Sequence, residues 1–352
     1  MARRRVRLGA MVTFMACAGT LPLQAMARDR VHVVGSSTLY PFAAAVAESV
    51  ADGAKVRAPL VESIGTAGGF KLFCAGIGEN TPDITDASRP MAPQEVAECA
   101  RHGVRQVVGI RVGLDGMLLA GARGSPVFSL SREQIYLALA RSVPRGGRLV
   151  SNPYWRWKEI SPELPDAPIR VYGPAPNHGT RDAFVALAIA PACERVPEIR
   201  ALPADERRVN CLSLREDGAW IDVSQDYAVL LRRLVADPHA LGVLGFSYLL
   251  NNPGTIQAAR VDGIDPTEQT ISAWRYPLAR PLFLYVKEAH MGRIPGLAAF
   301  LQEFVSDRAI GPDGYLVSRG LMPLPEGQMK GEKAKVERLV QLADKRSRAP
   351  DR

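Results

Sequence analysis

From residue 31 onward, short runs of β-branched residues alternate with longer Ala/Leu-rich stretches. Residues 31–34 (VHVV) predict a strand, and residues 41–50 (PFAAAVAESV) a helix with proline in its first turn. Residues 105–110 (RQVVGI) predict another strand, followed by a separate apolar run over residues 114–120. A helix over residues 131–140 opens with the Ser-x-x-Gln pattern of a capping box, Ser131 to Gln134. Further on, residues 169–172 and 282–286 read as strands, and residues 182–189 and 296–305 as helices. Strands interleaved with helices predict an α/β architecture. No repeat is visible, and 352 residues are too many for one compact core, so two domains are expected.

The first 27 residues read as an address. Arg3, Arg4, Arg5 and Arg7 precede an apolar stretch over residues 8–23, and Ala25-Met26-Ala27 supplies a small-x-small cleavage pattern. Cleavage before Arg28 and export to the periplasm are expected. Cys17 is a weak lipidation candidate, because Phe14 and Met15 make a poor lipobox. Beyond the leader no apolar run reaches the ~18 residues of a membrane span, so no direct membrane insertion is expected.

Export changes how charge and cysteines are read. The formal net charge is +8, but the leader holds four arginines, and residues 328–352 hold eight Lys/Arg against four acids. The stretch between is about neutral. The basic tail therefore reads as a solvated helical segment, and no nucleic-acid partner is expected. Outside the leader four of the five cysteines remain, which allow three pairings. In an oxidising compartment Cys74–Cys99 and Cys193–Cys211 are the local choices, each worth roughly 3 kcal/mol through restriction of the unfolded chain. No C-x-x-C spacing occurs, and His32, His102, His239 and His290 share no metal spacing, so neither a metal nor a cofactor is implied.

Three segments share one design, in which a strand ends, small or hydroxyl residues follow, and a helix begins. They are residues 34–41 (VGSSTLYP), 62–71 (ESIGTAGGFK) and 173–182 (GPAPNHGTRD). A helix N-terminus carries unpaired N–H groups and a partial positive charge, and serine or threonine hydroxyls add donors. Such loops suit an oxyanion. The plainer alternative is that Ser37, Thr66 and Thr180 cap their own helices.

These motifs occur in order with residues 82–90 (PDITDASRP), 215–220 (REDGAW), 240–246 (ALGVLGF), 276–287 (YPLARPLFLYVK) and 311–324 (GPDGYLVSRGLMPL). Together they make the chain resemble the periplasmic phosphate-binding proteins of ABC transporters, over nearly all of residues 28–325. The resemblance implies a type 2 periplasmic binding protein fold: two α/β domains joined by two crossover strands, with a ligand cleft between. The first domain would comprise residues 28–111 plus 284–327 and the second residues 112–283, with residues 328–352 as the basic tail. The crossovers would lie near residues 112–120 and 276–283. Inorganic phosphate as ligand, permease subunits as partners, a monomeric state and the absence of catalysis are implied in the same way.

Carried over residue by residue, the resemblance assigns the first anion loop to Ser36, Ser37, Thr38 and Leu39. Thr66 falls in the second loop, and Gly179 and Thr180 in the third. Three positions depart from the family's better-known members. Arg89 stands where they have an aspartate that accepts the proton of hydrogen phosphate, Pro174 replaces an arginine, and His178 replaces a serine. Arg89 and Arg181 can restore the positive charge, since guanidinium binds oxyanions bidentately; otherwise they pair with acids such as Asp86 and Asp182. Asp115, beside Gly116, reads first as a turn residue and otherwise as an acceptor for the ligand's proton, while Tyr154, Trp155 and Trp157 read as packing residues of the second domain. Competing readings are a binding protein for sulfate, molybdate or a small phosphorylated ligand, or an adhesion protein using its basic tail. A serine hydrolase or phosphatase using Ser36 or Ser37 with His178 would lack the G-x-S-x-G elbow.

Overall fold

The computed structural model describes residues 28–53, 57–176, 179–223 and 227–348. Its strands are β1 (His32–Gly35), β2 (Leu60–Ser63), β3 (Ile84–Ala87), β4 (Val107–Ala122), β5 (Ser129–Leu130), β6 (Ser142–Arg145), β7 (Arg148–Ser151), β8 (Val171–Pro174), β9 (Trp220–Val223), β10 (Leu241–Gly245), β11 (Ile256–Ala258), β12 (Arg260–Val261) and β13 (Ala279–Lys287). Nine of them form one continuous sheet in the order β2-β1-β3-β13-β4-β10-β8-β9, with β11 also on β4. β1 is parallel to β2 and β3, and β8 is parallel to β9 and β10. The connection between these two parallel groups is antiparallel and runs through β13 and β4.

The two apolar runs read separately at residues 105–110 and 114–120 are one 16-residue strand, β4. Arg111 and Gly113 interrupt the apolar pattern, but β13 pairs with β4 from Val107 to Gly116 and holds it extended. Beyond that point β10 and β11 take over as neighbours. The core changes along the same strand. Val112 packs with Val33, Phe42, Leu284, Phe300 and Phe304, whereas Leu114 packs with Trp157, Phe184, Leu230 and Val243. On β13, Ala279 belongs to the second of these cores and Leu282 to the first. The capping box at Ser131 forms, with Ser131 Oγ accepting from Gln134 N and Gln134 Oε1 from Ser131 N.

Two expectations are corrected. The basic tail is not a solvated appendage: the helix Glu326–Arg348 buries Val336, Leu339 and Ala343 against the first core. Those positions lie at i, i+3 and i+7, an apolar stripe that the surrounding charges hide from a composition reading. Trp155 is about half exposed, with the Arg215 guanidinium 5.0 Å from its ring centre, while Trp157 is fully buried and Tyr154 packs on the second core. Disulfides join Cys74 to Cys99 and Cys193 to Cys211. No helix among the described residues is long and apolar enough to cross a membrane.

Candidate ligand-binding site

The first loop is shaped by Gly35, whose φ of 145° lies in glycine's territory. A Cβ there would sit 2.1 Å from the Asp86 carbonyl oxygen, so only glycine lets β1 end against β3. Ser36 N donates to Asp86 O at 3.1 Å and to Asp86 Oδ1 at 2.6 Å. Burial pushes the Asp86 carboxyl up to about 8 in spite of that hydrogen bond. Ser36 is itself buried, and its Oγ accepts from Thr38 N. Leu39 sends its side chain into the first core and its N–H to Ser36 O. Ser36 and Leu39 therefore frame the loop, and Ser37 and Thr38 line the cleft.

Thr66 opens the helix Thr66–Phe73 and is buried. Its Oγ1 accepts from Ser88 N at 3.2 Å and lies 3.2 Å from Ser88 Oγ, so it ties the second loop to the segment after β3. In the third segment, Gly179 and Thr180 begin the helix Gly179–Phe184. His178 lies outside the described residues.

The first and third loops meet a pair of side chains whose partnership sequence reasoning did not select, while Thr66 of the second loop stays bonded to Ser88. Asp115 on β4 and Arg280 on β13 are direct partners in the ladder. Arg280 donates through Nε and Nη2 to one oxygen, Asp115 Oδ2, at 3.0 and 2.7 Å. Its Nη2 also donates to Thr38 Oγ1 at 2.9 Å and Thr180 Oγ1 at 3.4 Å, and those hydroxyls are 3.2 Å apart. Asp115 is thus a buried mid-strand acceptor; the turn expected beside Gly116 is absent because β4 runs straight through it. Arg280 was quoted within the 276–287 motif, but nothing in its spacing points to a partner 165 residues away.

Two donors here are buried with no hydrogen-bond partner: Arg280 Nη1 and Ser37 Oγ. Both residues line a cavity of about 690 Å³, together with Thr38, Asp115 and Thr180. A buried donor left unpaired costs about 1–3 kcal/mol, so two of them in one cavity call for an acceptor.

The two other arginines are already engaged. Arg89 forks onto Glu95 at 2.7 and 2.8 Å and lies 5.3 Å from the Phe70 ring centre, leaving Asp86 inside the sheet. That bond to Glu95 raises the Arg89 pKa further. Arg181 pairs with Asp222 rather than Asp182, and its guanidinium covers the Trp220 ring. Asp182 is raised by burial, against the charges of Arg89 and Arg181, which places all three in one electrostatic neighbourhood.

A family model described as "PBP superfamily domain" matches residues 22–308, and the chain belongs to that superfamily. Its fold is the type 2 arrangement of this class. Among its relatives, protein SphX of Synechococcus elongatus is 30% identical over 291 residues, covering 80% of this chain and 76% of the relative. The phosphate-binding protein PstS of Staphylococcus saprophyticus is 22% identical over 312 residues, 87% of this chain and 84% of its own. Among solved structures, a possible phosphate-binding protein from Planctomyces limnophilus superposes with a TM-score of 0.62 at 24% identity, covering 88% of this chain and 98% of that one. A putative phosphate ABC transporter substrate-binding protein with bound phosphate, from Clostridium perfringens, gives 0.59 at 22% identity, with 84% and 100% covered. At those identities the structural likeness is one of fold.

Proposed function

We propose that the chain is an exported, non-enzymatic binding protein that captures inorganic phosphate in this cleft and delivers it to the permease of an ABC importer. The observation that carries the reading is the pair of unpartnered buried donors, Arg280 Nη1 and Ser37 Oγ, beside the Thr38 and Thr180 hydroxyls. Those two donors, with the hydrogen-bonded hydroxyls of Thr38 and Thr180 beside them, suit a tetrahedral oxyanion, and a guanidinium strengthens each bond it makes. The names of the relatives, phosphate-binding proteins among them, support the same ligand.

Asp115 supports phosphate over sulfate. Both of its bonds from Arg280 end on Oδ2, which leaves Oδ1 as an acceptor at the cavity wall. Hydrogen phosphate brings an O–H to such an oxygen, and sulfate brings none. In this reading Asp115 does the work that an aspartate at position 89 does in better-known relatives. Arg89 and Arg181, each with a carboxylate partner, add field rather than direct bonds. Calorimetry on protein stripped of endogenous ligand, titrated with phosphate, sulfate and molybdate, tests the assignment. Tight phosphate binding with weak sulfate and molybdate binding is expected. No heat with phosphate would overturn the function, and equal affinity for sulfate would overturn the role of Asp115.

A further inference from the structure

The ladder between β4 and β13 contains an irregularity. Leu282 faces Gly113 and Phe283 faces Arg111, so Val112 is an extra residue on β4. It falls where the strand leaves one core for the other. The C-terminal part of the chain holds β4 on both sides of this bulge. On one side, Leu114 and Met322 exchange both backbone hydrogen bonds, at 2.8 and 3.2 Å. Gly113 has no room for a side chain there: a Cβ would stand 2.7 Å from Leu321 and 2.9 Å from Met322 O.

On the other side, the carboxylate of Glu332 accepts from Arg111 N and Arg111 Nε, both at 3.1 Å. Gln328 accepts from Arg111 Nη1 at 3.2 Å, and Lys335 bridges Gly109 O and Glu332 Oε2 at 3.0 and 2.6 Å. Glu332 is only 2% exposed. Burial pushes its carboxyl up, but the bonds from Lys335 and Arg111 outweigh it and hold the group below its ordinary range. The apolar anchors of this segment divide between the cores. Met322 and Leu324 join the second, Val336, Leu339 and Ala343 the first, and Met329 touches both.

We propose that residues 320–348 form a brace across the hinge, fixing the bulged stretch of β4 and favouring the closed cleft in which Thr38 meets Thr180. A flexible crossover strand lets two lobes separate, whereas one whose bulge is gripped from both sides has fewer states available. The consequence for affinity rests on the binding function proposed above, because a ligand that needs the closed form binds more weakly as that form becomes rarer.

The experiment uses the mature full-length chain and two variants that weaken opposite ends of the grip. Glu332→Gln keeps the shape but removes the charge, and Gly113→Ala pushes Leu321 and Met322 away. Small-angle scattering gives the radius of gyration without ligand and with saturating phosphate; calorimetry gives the affinity; circular dichroism checks the fold. The brace predicts that either folded variant has a larger ligand-free radius than the parent, returns to the parent's radius with phosphate, and binds it roughly fivefold or more weakly. A folded variant with the parent's ligand-free radius and affinity would overturn the proposal. If the parent binds no phosphate, the functional reading fails while the scattering comparison still decides the brace.

Discussion

Arg280 and Asp115 are opposite each other on the two strands that pass between the cores, and their side chains form a buried ion pair. Such a pair gains little net stability from the charges alone, since both are desolvated. What it secures is geometry. Asp115 fixes the guanidinium so that Nη2 spans Thr38 and Thr180, one hydroxyl from each side of the cleft, while Nη1 remains to be satisfied. The proposed anion site is thereby built on the same two strands that pass between the cores.

Replacing Arg280 should then cost more than replacing Arg89. Arg280→Met removes a charge-assisted donor and leaves Asp115 unpaired, and phosphate affinity should fall by about a hundredfold. Arg89→Ala removes a guanidinium whose fork is filled by Glu95, and should cost less than about threefold. Calorimetry on the two variants checks the order; the reverse ranking would return the anion to the Arg89 loop.

Selectivity provides a separate check on Asp115. In the Asp115→Asn variant the Oδ1 acceptor can become an amide donor, and the phosphate-to-sulfate affinity ratio should drop by at least about tenfold. The ratio is the quantity to measure, because loss of the Arg280 pair weakens both anions together. An unchanged ratio would mean that another acceptor reads the proton.

Asp86 should make stability depend on pH. Its carboxyl is raised to about 8 by burial, far above its value of 3.8 in an open chain. A group shifted upward contributes fully below its unfolded pKa, and that contribution is lost as pH rises through the folded pKa. The melting temperature should therefore decline from about pH 4 to pH 8 through this group. Asp86→Asn keeps an oxygen for Ser36 N and cannot ionise, so the advantage of variant over parent should grow across that window. A constant difference between the two melting curves would show that Asp86 does not titrate there.

Export can be read from mass. Periplasmic protein should begin at Arg28 and contain no free thiols, with peptides linked through Cys74–Cys99 and Cys193–Cys211. A lipid on Cys17, or an intact leader in the periplasmic fraction, would contradict the expected processing.

Much of the fold was legible because it is carried by local pattern. The strand–loop–helix units around Ser37, Thr66 and Thr180 declare themselves through β-branched runs followed by small and hydroxyl residues. The brace was not, because charge surrounds the stripe of Val336, Leu339 and Ala343. The pairing of Asp115 with Arg280 was hidden for a different reason: it depends on the register of β4 on β13, which only the folded sheet specifies. Arg89 shows the converse, a residue that was read without its partner. Its chemistry fits an anion, but Glu95, six residues further on, is brought back by the turn into the helix Pro93–Arg101 and fills the fork.

The most direct test of the site is a crystal structure of the mature protein grown with inorganic phosphate. Phosphate oxygens should lie within about 3 Å of both Arg280 Nη1 and Ser37 Oγ, with the protonated oxygen turned toward Asp115 Oδ1. Phosphate bound elsewhere in the cleft, with those two donors still unpaired, would contradict it.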